Sequence, residues 1–100
     1  MIAKRPGQNE HTVLVTFRYP ADSYAESVHL VGDFNDWCNT SLPLECCRSN
    51  AANWELTLEL AAGRSYQYRY LVNGRTWVND SKADEFMYNP FGSTNSVVRT

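Results

Sequence analysis

Residues 53–60, Asn53-Trp54-Glu55-Leu56-Thr57-Leu58-Glu59-Leu60, put an apolar side chain at every second position, so that Trp54, Leu56, Leu58 and Leu60 oppose Glu55, Thr57 and Glu59. Successive side chains of an extended chain point to opposite faces, and a period of two therefore marks a strand with one buried and one wet face. Leucine and glutamate are good helix formers, but an amphipathic helix needs its apolar residues three and four apart. The same alternation recurs on both sides. Upstream, residues 12–19 set Val13, Val15, Phe17 and Tyr19 against Thr12, Thr16 and Arg18. Downstream, residues 64–72 set Tyr66, Tyr68, Tyr70 and Val72 against Gln67, Arg69 and Leu71.

Turn chemistry separates these runs. Pro20-Ala21-Asp22-Ser23 closes the first, and a short run of Val28, His29, Leu30 and Val31 stops at Gly32. Ala61-Ala62-Gly63 makes the next turn, and Asn73-Gly74 predicts a hairpin because both residues tolerate positive φ. Residues 75–78 return as its partner strand, residues 80–91 read as a loop, and residues 95–99 as a final strand. Residues 1–10, broken by Pro6-Gly7, read as a flexible leader, and residues 11–100 as one domain. With about seven short strands at regular spacing and no helical pattern, the fold class is all-β, an antiparallel sandwich. Strands run nearly to both ends of the sequence, so a freestanding domain is expected.

One hundred residues make one core. Hydrophobic residues are 43% and charged residues 20%, the mixture of a globular chain rather than a disordered one. Nine basic residues are scattered among eleven acidic ones, for a net charge of −2. That balance argues against a nucleic-acid partner, whose phosphates call for clustered Lys and Arg. No apolar run approaches the roughly 20 residues that cross a bilayer. Lys4 and Arg5 precede no apolar stretch of the kind a secretory leader needs. Cys46 and Cys47 are adjacent, poor geometry for an ordinary disulfide, and Cys38 leaves an odd thiol. A reduced, cytoplasmic protein with buried cysteines is the expectation. His11 and His29 lie far from the cysteines in sequence and no CxxC pair occurs, so no metal is expected.

The run Val28-His29-Leu30-Val31-Gly32-Asp33-Phe34-Asn35-Asp36-Trp37, followed by Leu42-Pro43-Leu44, resembles the "strand, Gly, x, Phe-Asn-x-Trp" signature of the glycogen-binding modules (carbohydrate-binding family 48, isoamylase N-terminal-like). Tyr66-Gln67-Tyr68-Arg69-Tyr70-Leu71-Val72-Asn73-Gly74 resembles their second hairpin. Trp77 and Asp80, then Asn89-Pro90-Phe91-Gly92 and Asn95-Ser96-Val97-Val98, follow in family order. The resemblance covers roughly residues 12–99. It implies an immunoglobulin-like (early-set) sandwich and an α-glucan partner: glycogen, starch or maltooligosaccharides. By position it assigns the sugar site to Trp37, Arg69, Trp77, Phe91, Ser93 and Asn95, with no cofactor. A separate glucan-metabolising enzyme or a second copy of the chain would be further partners.

The chemistry fits those residue types. A pyranose presents a face of C–H groups that a flat indole can cover, Arg donates from a fixed fork, and Asn both donates and accepts. Each residue also has a structural role open to it. Trp37 closes a loop after Phe34 and could serve packing, Trp77 could pack beside the turn, Arg69 could be a solvated charge, and Phe91 could anchor its loop. Trp54 and the three tyrosines read as core. The sequence departs from the pattern at several points. Four residues (73–76) precede Trp77, which could re-aim the indole through a bulge, Asp80 is followed by Ser81 rather than Pro, and Ser93 stands for a common Thr. Arg69 replaces a frequent lysine, which changes the donor geometry. A catalytic role is not expected. Asp33 with Asp36, and Asp84 with Glu85, read as solvated pairs without the cleft that glycoside hydrolysis requires, and neither His29 with Cys38 nor any serine has a nucleophile's context.

Overall fold

The computed structural model describes residues 1–20, 25–46, 53–90 and 92–100. Among them are nine strands: β1 (Ile2–Pro6), β2 (Thr12–Pro20), β3 (Val28–Gly32), β4 (Glu45–Cys46), β5 (Asn53–Ala61), β6 (Ser65–Val72), β7 (Thr76–Val78), β8 (Glu85–Tyr88) and β9 (Thr94–Arg99). One sheet has the order β1-β2-β5-β4 and the other β3-β6-β9-β8, with β7 also on β6. Every pairing is antiparallel.

The period of two in the sequence becomes register in the first sheet. Val13 faces Leu60, Val15 faces Leu58, Phe17 faces Leu56 and Tyr19 faces Trp54, an apolar row on one side of the β2–β5 ladder. The opposite side is polar apart from Leu14, which lies opposite Glu59. Thr16 and Thr57 share a hydroxyl hydrogen bond of 2.8 Å, and Arg18 pairs with Glu55 at 3.4 Å. Cross-strand pairs of this kind stabilise a sheet by a few tenths of a kcal/mol to about 1 kcal/mol each. Trp54 is half-buried and packs against the core, as its place among the leucines predicts.

Residues 1–10 are not a loose leader throughout. Residues 2–6 pair with β2 from Ile2↔Phe17 to Pro6↔Val13, and Ile2 packs on the core. Pro6 ends this edge strand, a position where a missing N–H costs no ladder bond. Lys4, on the same side as Ile2, reaches across to Asp84 of the other sheet at 2.6 Å. Partial burial pulls the Asp84 carboxyl up, but the Arg99 backbone N–H and the Lys4 ammonium outweigh it and hold it below the usual range. A second correction concerns residues 80–91, expected as a loop: β8 occupies 85–88 and pairs with β9. Glu85-Phe86-Met87-Tyr88 has no alternation to betray it, and its ladder comes from a partner further along the chain.

In the second sheet, Tyr68, Tyr70 and Val72 face the interior, where Tyr68 meets Phe17 edge-on at 5.1 Å and Tyr70 meets Tyr19 at 5.3 Å. Both phenol hydroxyls then donate to the same oxygen of Asp80, at 2.9 and 3.2 Å, deep in the protein. The other Asp80 oxygen accepts from the Lys82 N–H at 2.9 Å and the Met1 amine at 2.5 Å. The Asp80 N–H donates to Ser96 Oγ at 2.7 Å, and Ser96 donates to Asn79 at 3.0 Å. A buried carboxylate survives because its lone pairs are met in this way. Burial, then the Asp80 charge, push both phenols far above their ordinary value near 10.

Tyr68→Phe or Tyr70→Phe removes one donor from this carboxylate, and each is expected to cost about 1–3 kcal/mol in urea unfolding. The double variant should cost more or less than the sum, since the two hydroxyls share one acceptor. The raised phenols also set an alkaline limit. The native state keeps both protons while the unfolded chain releases them above pH ~10, so their stabilisation is intact below that pH and declines as pH rises beyond it. Urea midpoints measured from pH 8 to 11 should stay level and then fall from about pH 10; a level profile throughout would contradict the assignment.

Candidate functional site

If Tyr68 and Tyr70 face inward, Gln67, Arg69 and Leu71 must face outward. Register carries this outer face across the sheet: Val31 lies opposite Arg69, Val97 opposite Gln67, and Trp77 opposite Leu71. Val31, Leu71 and Val97 are nearly fully buried, yet they stand apart from the interior cluster. This face is thus roofed by the loops and long side chains around it, with an apolar floor beneath.

The loop after β3 supplies Trp37. Gly32 ends β3 where its neighbours leave no room: a Cβ there would lie 2.5 Å from the Gln67 carbonyl oxygen and 2.9 Å from the Tyr68 side chain. A 3₁₀ turn (Asp33–Asn35) follows, and then Asp36 and Trp37 both take left-handed backbone angles, φ 53° and 56°. Two such non-glycine residues in succession store strain of roughly 1–3 kcal/mol each, which the surroundings must hold. Asn35 does much of the holding. Its Oδ1 accepts from the Gly32 N–H at 3.0 Å, and its amide donates toward Ser41 Oγ at 2.9 Å and the Cys38 carbonyl at 3.0 Å. The Trp37 N–H donates to the Gly32 carbonyl at 2.9 Å. Phe34 plugs the loop into the core against Phe17 at 5.6 Å.

Asp33, expected to be merely solvated, is exposed but engaged at both oxygens. One accepts the Trp37 indole N–H at 3.0 Å and the other the Gln67 backbone N–H at 2.7 Å. The carboxylate therefore ties the tilt of the indole to β6. Trp37 itself is half-buried, between the packing and stacking roles.

Trp77 arrives through the hairpin. Asn73 and Gly74 take positive φ, as their types predict, and Thr76 pairs with Val72, so the loop is three residues long and the ladder resumes one residue before Trp77. Asn73 also accepts from the Glu26 and Ser27 N–H groups, pinning the turn to the segment before β3. Trp77 remains 43% exposed.

Arg69 points outward but is not a free charge. Its guanidinium donates to the Thr94 carbonyl, through Nε at 3.0 Å and also through Nη2, and to Ser93 Oγ. Asn79 donates to the same carbonyl at 2.9 Å and to Thr94 Oγ1 at 3.0 Å. Asn95 is buried; it donates to Gln67 at 3.0 Å and accepts from Asn89 at 3.3 Å. Trp37, Arg69, Trp77 and Asn95 line one open cavity of about 460 Å³. Ser93 meets this group through Arg69, and Phe91 lies outside the described residues. Asp33, Gln67, Tyr88, Asn89 and Pro90 line the cavity as well. Of these, Gln67 could have been found by alternation with the tyrosines, whereas Tyr88 carries no sequence signal.

Two of the three thiols differ from expectation: Cys38 and Cys46 are free and exposed rather than buried, and Cys47 lies outside the described residues. Hydrogen bonds from Thr40, with Ser41, lower the Cys38 thiol from its ordinary value. Among the described residues no helix is long and apolar enough to cross a membrane.

A profile of the carbohydrate-binding module 48 family (isoamylase N-terminal domain) matches residues 8–92. No curated protein sequence matches the chain. Two solved structures of the enterobactin esterase of Shigella flexneri share the fold. One, in the presence of 2,3-Di-hydroxy-N-benzoyl-serine, superposes with a TM-score of 0.75 at 12% identity. The other, with the corresponding glycine compound, gives 0.74, also at 12% identity. The match spans 98% of this chain and 32% of the esterase, so the chain is about a third of that protein's length.

Asp33→Asn keeps the shape but replaces one carboxylate oxygen with a donor. The Trp37 indole N–H resonance should shift and the Gln67 amide should exchange faster with solvent, with the unfolding midpoint changed little. An unmoved indole resonance would show that Asp33 does not hold the ring.

Proposed function

The chain belongs to the carbohydrate-binding module 48 family, and from that premise we propose a non-catalytic module that binds α-1,4-glucan on the outer face of β6. The observation that supports it best is the pair of indoles, Trp37 and Trp77, set around the outward side chains of Gln67 and Arg69 in one open cavity. At about 460 Å³ it falls in the range of small-ligand sites. Its polar groups are those that sugar hydroxyls pair with, and the indoles offer faces for the C–H side of a pyranose. Glycogen, starch and maltooligosaccharides all present that surface. The cytoplasm, where glycogen and reduced thiols coexist, is the compartment this reading favours.

Affinity on the order of 10 µM to 1 mM, or roughly −4 to −7 kcal/mol, is expected for so open a site. Maltoheptaose titrated against intrinsic tryptophan emission should saturate. Trp37→Ala and Trp77→Ala should each weaken binding by at least about tenfold, equivalent to 1.4 kcal/mol. No saturation up to several millimolar would sink the α-glucan reading. The second reading, a sugar-silent module that packs on a catalytic unit, is favoured by one observation: in the esterase the matching fold takes up about a third of a longer chain.

A further inference from the structure

We propose that Gln67 reads the ligand in this cavity through its side-chain NH2 group, and that Asn95 and Asn89 act behind it as positioning residues. The inference rests on the α-glucan reading and names the group that addresses the sugar hydroxyls.

A side-chain amide has a donor end and an acceptor end, and the bonds around it decide which end faces where. Here the decision starts at a backbone group that can only donate. The Ser93 N–H donates to Asn89 Oδ1 at 3.2 Å, so Nδ2 is the end of that amide left for Asn95. It donates to Asn95 Oδ1 at 3.3 Å, and Asn95 Nδ2 in turn donates to Gln67 Oε1 at 3.0 Å. The direction passes along three side chains and ends at Gln67 Nε2. The two N–H groups there have no partner among the described residues. Gln67 is half-buried and lines the cavity on the outer face of β6, whereas Asn95 is only 7% exposed.

This direction sets the chemistry of the cavity. The carboxylate and amide oxygens of its lining side chains already accept: both of Asp33, and those of Gln67, Asn89 and Asn95. Gln67 and Arg69 keep donors instead. Arg69 spends Nε and Nη2 on Thr94 and Ser93 and retains Nη1, whose two N–H groups have no partner among the described residues. It stands two residues from Gln67 on the same face of β6, roughly 7 Å along the strand. A sugar hydroxyl both donates and accepts, and these two residues address its lone pairs. Asn95, which the family resemblance places at the sugar, is deeply set and engaged at both ends of its amide. It acts on the ligand through the orientation it imposes on Gln67.

The experiment measures maltoheptaose dissociation constants and side-chain amide resonances for the wild-type chain, Gln67→Glu and Asn95→Asp. In the free wild type the Gln67 NH2 protons should exchange quickly with solvent and those of Asn95 slowly, and bound maltoheptaose should shift the Gln67 pair. Gln67→Glu keeps an oxygen for Asn95 but puts an acceptor where the outer donor stood. It should weaken maltoheptaose about tenfold while the urea midpoint moves little. Asn95→Asp has no NH2 to give, so Gln67 must turn its own inward; those protons should become protected and affinity should again fall about tenfold. A cooperative thermal transition checks folding, and if Asn95→Asp fails to fold, the wild-type exchange and Gln67→Glu decide. Protected Gln67 protons in the free wild type overturn the proposal, and so does Gln67→Glu binding within about twofold of wild type. A wild-type chain that binds no maltoheptaose overturns the α-glucan reading, and with it the ligand proposed here, whichever way the amides point.

Discussion

The Asp80 carboxylate, enclosed within the sandwich, decides which way β6 faces. Two hydroxyls from that strand, Tyr68 and Tyr70, converge on one of its oxygens, and a carboxylate at such depth tolerates no missing partner. Rotating β6 by one residue would withdraw both donors at once and drive Arg69 into the apolar interior. The inward set of β6 is thereby fixed, and the outward set with it: Gln67, Arg69 and Leu71 look away from the core because their neighbours cannot. The same cluster extends through Ser96 and Asn79 to the Thr94 carbonyl that Arg69 holds. Core and cavity are two ends of one chain of hydrogen bonds.

Much of this architecture was legible in the sequence, for a reason particular to three strands. In β2 and β5 one face is mostly dry and the other mostly wet, and in β6 the inward Tyr66, Tyr68 and Tyr70 alternate with Gln67 and Arg69, so burial writes itself into the chain as alternation. The Asn73-Gly74 turn was legible because its backbone angles exclude most other residues. β1 and β8 were hidden because they lie at sheet edges, where pairing comes from a distant segment and the side chains need not alternate. Ile2 and Lys4 show this well: one meets the core and the other a carboxylate on the opposite sheet, a pairing of roles that no local pattern announces.

The candidate site divides in the same way. Trp37, Trp77, Arg69 and Asn95 do converge, as the family resemblance implied. The network that orients them was out of reach, because hydrogen-bond partners are set by three-dimensional proximity. Asp33 looked like a surface charge beside Asp36, yet it holds an indole on one oxygen and β6 on the other. Asn35, read only as a letter of the Phe-Asn-x-Trp signature, proves to be the hub that keeps two strained residues in place. That gives the signature a physical meaning: the asparagine and glycine shape the loop, and the tryptophan is what the loop presents.

The polar groups of this cavity are already paired with one another, Arg69 with Thr94 and Ser93, and Asn95 with Gln67 and Asn89. A ligand must therefore exchange hydrogen bonds rather than simply add them, which limits the gain from each encounter. On the glucan reading, a polymer offers a run of near-identical seats on one molecule. A molecule released from one seat finds the next at high local concentration, so residence on a granule outlasts any single contact. Weak pairing at one seat then becomes mobility along the surface, and a module built this way would roam a glucan rather than lock to a point on it.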